Sequence, residues 1–295
     1  MLIANPIYDT VFKYMMSDSK VAKLLLSAII GEKIVKLDFT ATEYVLKPGA
    51  NQSMIDRTLE QLTVCRFDFN AKIKTKTGEY KTVIIELQKA KLATDIMRFR
   101  RYLGQMYQEK ENTHDKKKLK PRQIYCIYFL NYDIGFSDAP VIKVDHIVSD
   151  LATGKTYEEK SEFVESLNHK SWIVQVGKLK EKRRNELENL LAIFDQDNKT
   201  SNEHILNIDE TQFPEEYRII IRKLIEASAK EEVRNAMQLE DEILTEFLIR
   251  DELIAKQAED LAREKEENRK KDEENKKLKQ ELEKYMKLFN EKDIK

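Results

Sequence analysis

Cysteine is scarce. Only Cys65 and Cys126 occur in 295 residues, each inside an apolar, strand-like run. That is no disulfide framework; it reads as two buried thiols in a reducing compartment. The four histidines, His114, His146, His169 and His204, show no HxxxH spacing, and no CxxC accompanies them. A zinc site has no ligand pattern to rest on. No stretch approaches the ~18 apolar residues of a membrane span. The opening MLIANPIYDTVFKYMM lacks a basic leader and a long apolar run, so no secretory signal is read there. The expectation is a cytoplasmic chain with no membrane partner. An excess of charge of one sign is missing too. Lys and Arg number 52 against 53 Asp and Glu, a formal net charge of −1. The chain as a whole has no electrostatic pull toward nucleic acid, so any such surface must be a local patch.

Glycine and proline are confined to one part of the chain. No glycine follows Gly177, and of five prolines only Pro214 lies beyond Pro140. Turn chemistry belongs to the first part, and the second reads as nearly all helix. A short helix is predicted over 7–16. Asp18 caps a second helix, carrying Val21, Leu24, Leu25, Ala28 and Ile29, and Gly31 stops it. Strands are predicted over 34–46, 63–75, 80–88, 122–131, 141–148 and 172–179. The pair joined by Thr77-Gly78 is the clearest hairpin. The unbroken apolar run at 122–131 predicts a central strand covered on both faces. A helix over 95–113 turns Ile96, Phe99, Leu103 and Met106 inward. After 180, helices are expected near 180–195, after Pro214 and over 240–262.

The last forty residues, 256–295, hold 13 basic and 12 acidic side chains. Positions 254, 261, 268, 275, 282 and 289 are Ile, Leu, Asn, Asn, Leu and Phe, a heptad line with a polar middle. It reads as a solvated charged helix or an intermittent coiled coil.

The hairpin carries the chemistry. Strand side chains alternate faces. Phe67, Phe69, Ala71 and Ile73 therefore share one face, and Arg66, Asp68 and Asn70 the other. In the next strand, Val83, Ile85 and Leu87 oppose Ile84, Glu86 and Gln88. Two carboxylates on adjacent strands repel unless a cation lies between them. Mg2+, which favours carboxylate oxygens and retained water, meets that need. The plainer alternative is solvent-facing charge on a hairpin. Against it, Glu86 closes the apolar run VIIEL, where an unpaired acid is costly to bury. The following helix adds a polar stripe of Arg98, Arg101, Tyr102 and Gln105. That stripe suits phosphate, or else forms an ordinary solvated face.

At these residues the chain resembles a known family. Asp68, a glycine-turn spacer and then Glu86-Leu87-Gln88 resemble the D…ExQ form of the PD-(D/E)XK nuclease motif, found in the recombination-promoting nuclease / putative transposase family of bacteria. The opening Tyr8–Asp18 resembles that family's D-x-x-F-K element, and Arg98–Tyr107 its Arg/Tyr-bearing helix. The resemblance runs over about residues 5–180. It implies an α/β fold, a mixed sheet flanked by helices with a restriction-endonuclease-like core, followed by an all-helical C-terminal region. It also implies a Mg2+ (or Mn2+) site held by Asp68 and Glu86. Acids of the first helix approach the metal in related nucleases. Asp9 holds that place, with helix N-terminal charge complementarity as its other reading. Gln88 stands where the wider superfamily has lysine; it can orient by hydrogen bonds but brings no charge. Lys89 points to the opposite strand face.

The expected organisation is a nuclease-like domain over 1–180, a helical region over 181–255 and a charged helical or coiled-coil tail over 256–295. The expected function is a Mg2+-dependent DNA endonuclease, with Arg98, Arg101 and Tyr102 on the DNA and homo-oligomerisation through the C-terminal helices. The alternative is a catalytically lapsed module that binds DNA or protein.

Overall fold

A computed structural model of the chain describes residues 1–39, 43–45, 64–66, 69–76, 80–89, 95–108, 110–111, 120–121, 123–158, 161–179 and 184–292. It is a mixed α/β molecule. Strand β1 (Leu2–Ala4) leads into helices α1 (Asp9–Met16) and α2 (Ser19–Ile30). The start and stop of α2 follow from two residues. The Asp18 carboxylate accepts the Lys20 N–H at 2.8 Å and the Val21 N–H at 3.4 Å, donors that the helix cannot satisfy internally. Gly31 closes it with φ of +77°, a left-handed turn that a Cβ would strain.

The predicted strands over 34–46 and 63–75 are described as β2 (Ile34–Phe39) and β3 (Glu43–Val45), and as β4 (Val64–Arg66) and β5 (Phe69–Thr75). β2 pairs antiparallel with β5 and β3 with β4, so the two segments meet each other in both described parts; residues 40–42 and 67–68 lie outside the described residues. Extended-chain preference marks all four, but it does not name their partners. Thr77-Gly78 lies outside the described residues, as do Asp68 and Phe67. β6 (Tyr80–Gln88) matches its expected span.

Helix α3 (Asp95–Gln108) is shorter than predicted, and a two-strand pair follows it, β7 (Lys110–Glu111) with β8 (Lys120–Pro121). Next come β9 (Ile124–Leu130), β10 (Val141–Val144), β11 (Val148–Ser149), β12 (Thr156–Tyr157), the short helix α4 (Glu162–Ser166) and β13 (Lys170–Gln175). The predicted 141–148 strand is thus split, its end pairing with β12 instead of extending the sheet. The main sheet runs β10-β13-β9-β6-β5-β2. β9 is central and parallel to both neighbours, as its continuous apolar run requires.

The sheet's two faces bury different layers. Phe69, Ala71, Ile73, Val83, Ile85, Ile127 and Phe129 face the larger core with α1 and α2. Ile84, Ile124 and Cys126 face the other way, beneath Phe99, Leu103 and Met106 of α3. Burying each of those three α3 side chains contributes roughly 1.5–3 kcal/mol, which holds the helix on the sheet. Ile96, predicted to face inward, is 60% exposed. It lies in the first turn, ahead of the three that pack.

Helix α5 (Glu186–Leu191) starts where the Asn185 side chain accepts the Glu188 N–H at 2.8 Å, six residues later than predicted. Leu190, Leu191 and Phe194 are fully buried. The expectation of an almost wholly helical second part misses β14 (Ile205–Asn207), which pairs antiparallel with β1. α6 (Arg218–Ala229) packs on α1 and β1, and α7 (Glu231–Lys292) begins with Val233 and Met237 in the larger core. One compact unit spans Met1–Asp241 and the second Glu242–Lys295. Among the described residues, no helix is long and apolar enough to cross a membrane.

Candidate active site beside Glu86 and Gln88

The alternation read from the hairpin holds in the described residues. β5 and β6 pair antiparallel, with Asn70 opposite Ile84 and Phe69 opposite Ile85. The described ladder ends there, one residue before Glu86. On β6, Val83 and Ile85 turn to the larger core, while Glu86 and Gln88 turn to the α3 side and line a cavity of about 320 Å³. Glu86 is 2% exposed and Gln88 7%. The Gln88 amide donates to Glu86 Oε1 at 3.2 Å. Residues two apart on a strand share a face, so this contact follows directly from the ExQ spacing.

The cavity wall is mostly apolar. α3 contributes Ile96 and Phe99, β9 contributes Tyr128 and Leu130, and β13 contributes Ile173. Phe99 and Tyr128 meet edge to face at 4.6 Å. Burial, together with the nearby Cys126 and Glu86, pushes the Tyr128 phenol far above its usual range, so it remains a neutral hydroxyl. Burial likewise pushes up the Cys126 thiol. Cys126 is therefore a buried, protonated packing group, not a nucleophile.

The other sequence-predicted residues are placed as follows. Asp68 lies outside the described residues. Arg98, Arg101 and Tyr102 fall within α3, and their side chains are outside the described set. Asp9 opens α1, where its carboxylate pairs with Lys13 at 2.6 Å and its N–H donates to Glu240 Oε2 at 2.9 Å. Its position in the first turn is the charge-complementary one. Among the described residues, no group of three or more His, Cys, Asp or Glu side chains is arranged to hold a metal. Glu86 and Gln88 do supply hard oxygen donors, the chemistry Mg2+ prefers.

Sequence reasoning missed a polar network on the opposite face. Lys89 follows Gln88 directly, and its ammonium lies 3.4 Å from the Tyr8 ring centroid and 2.5 Å from Asp241 Oδ1. Asp241 Oδ2 accepts from the Tyr8 hydroxyl at 2.9 Å and meets His204 Nε2 at 2.8 Å. Glu240 accepts the N–H groups of Asp9 and Thr10 at 2.9 and 2.8 Å, so an acid from α7 caps α1. Burial pushes Asp241 up, but the bonds from Lys89, His204 and Tyr8 outweigh it and leave the carboxyl below its usual range. Burial raises Glu240. Partners up to 233 positions apart in sequence leave no local signal.

Compared with family models, curated proteins and solved structures, the chain matches none.

Proposed function

We propose that the protein is a Mg2+-dependent DNA endonuclease of the transposase-associated PD-(D/E)XK kind, hydrolysing backbone phosphodiesters. One observation carries the reading. Glu86 and Gln88, the two described members of the D…ExQ set, are both buried on one side of a central strand, bonded to each other and facing a cavity. An acid so placed inside an apolar run needs a purpose that offsets its desolvation.

Asp68 and Glu86 would hold the ion. Phe69, its sequence neighbour, pairs with Ile85, the residue before Glu86, which is consistent with that partnership. Mg2+, when bound, neutralises charge on the phosphoryl group and makes water a better nucleophile. Gln88 fixes the orientation of the Glu86 carboxylate through its amide and brings no charge of its own. Arg98, Arg101 and Tyr102 of α3 would meet backbone phosphate. A second reading, a binding module without catalysis, has one observation in its favour: the cavity wall is chiefly apolar. Crystals soaked in Mn2+ decide whether the site takes a metal. Anomalous density against Glu86 is the expected result. A clean map at saturating Mn2+ overturns the assignment and leaves the binding module.

A further inference from the structure

We propose that residues 243–289 form a parallel, in-register coiled coil with a second copy of this chain. The proposal is independent of the nuclease reading. Within the second unit, Ile243, Phe247, Ile254, Leu261, Leu278 and Leu282 are between 44% and 61% exposed. Written in heptads with Ile254 at position a, these six fall on a or d, while the exposed Leu248, Ile249 and Leu253 fall at b, c and g beside the seam. Tyr285 and Phe289 occupy the next d and a in sequence. The two apolar stretches are separated by a polar one, yet they keep the same phase. A helix that serves only as a solvated spacer has no reason to preserve that phase, whereas a continuous seam requires it.

The polar middle points to the partner and its direction. Asn268 and Asn275 occupy consecutive a positions, where two parallel copies bring each asparagine onto its own counterpart. The g row through this region, Asp260, Glu267, Glu274 and Glu281, is wholly acidic. Antiparallel copies set g against g and therefore acid against acid. Parallel copies set g against the following e, which places Asp260 by Lys265 and Glu274 by Lys279 of the second chain. Glu246 with Asp251 and Glu267 with Asp272 oppose these pairs, so the parallel arrangement is balanced at g and e where the antiparallel one is repulsive at g; Arg250, Glu264 and Lys271 at d meet their own counterparts and weaken the middle of the seam. A lipid surface is a poorer fit. It favours a basic polar face, and 256–295 carries 13 basic and 12 acidic residues.

Light scattering on the full chain at tens of micromolar tests the partner, and Asn268→Cys tests the direction. The expected mass is twice 34.8 kDa. Two a-position cysteines in parallel register lie within disulfide reach, so Asn268→Cys should cross-link under mild oxidation where wild type does not. The double variant Ile254→Lys/Leu261→Lys changes only exposed side chains, and should halve the mass while leaving the melting of the Met1–Asp241 unit unchanged. A monomeric wild type overturns the proposal, as does a double variant that stays dimeric. A dimer that fails to cross-link at 268 overturns the parallel seam.

Discussion

Glu86 and Gln88 lie buried on one face of β6, as the period of two in VIIELQ requires, and line one cavity. Glu86→Gln keeps the shape and the capacity for a bond to Gln88, so the fold should persist. Mg2+-dependent nicking should fall by at least about a hundredfold, since the carboxylate proposed to hold the metal is lost. Wild-type nicking in that variant would remove Glu86 from the site. Asp241 is the opposite case, invisible to any local pattern because Tyr8, Lys89 and His204 come from remote segments. Asp241→Asn should cost about 1–2 kcal/mol by urea titration, a figure already discounted for its 42% exposed side chain. Its folded-state carboxyl is held below the usual range. The stability it adds is therefore complete above the unfolded value of about 4 and is lost as pH falls below that. The variant should lack this part of the acid loss. An identical pH–stability curve for both proteins would contradict the network's role.

At the scale of elements, the ends and faces of some elements and the partners within the hairpin were legible, and the remote partners were not. Asp18 and Gly31 bound α2 through chemistry confined to one turn. Asp18→Ala should therefore cost about 1 kcal/mol, read as a shift of the urea midpoint at constant m-value. The continuous apolar run of β9 identified a central strand for an equally local reason. By contrast, the antiparallel pairing of the segment carrying β2 and β3 with the one carrying β4 and β5 has no mark in either stretch alone. The pairing of β14 with β1 joins opposite parts of the chain. An alternating pattern states which face is buried, never against what. α3 connects this scale to the site, since its arginines are proposed to meet phosphate. Arg98→Ala and Arg101→Ala should each flatten the salt dependence of DNA binding by about one unit of slope. An unchanged slope would make that helix face merely solvated.

On the scale of the whole molecule, a mixed sheet with a layer on each face assigns different work to its two sides. The larger core and the Asp241 network occupy one side, and the cavity beside Glu86 the other. The charged helix beyond Asp241 forms its own unit. The central claim, that the D…ExQ set is a working metal site, is tested most directly by single-turnover nicking of plasmid DNA in Mg2+. Wild type, Asp68→Ala, Gln88→Ala and Gln88→Lys are compared. Gln88 is proposed to orient without bringing charge, so Gln88→Ala should slow the reaction while sparing DNA affinity. Gln88→Lys, which adds an ammonium where the proposed reaction develops negative charge, should preserve or raise the rate. Asp68→Ala should abolish it. Four indistinguishable rates, with no metal-dependent cleavage above the Asp68→Ala control, would contradict the account.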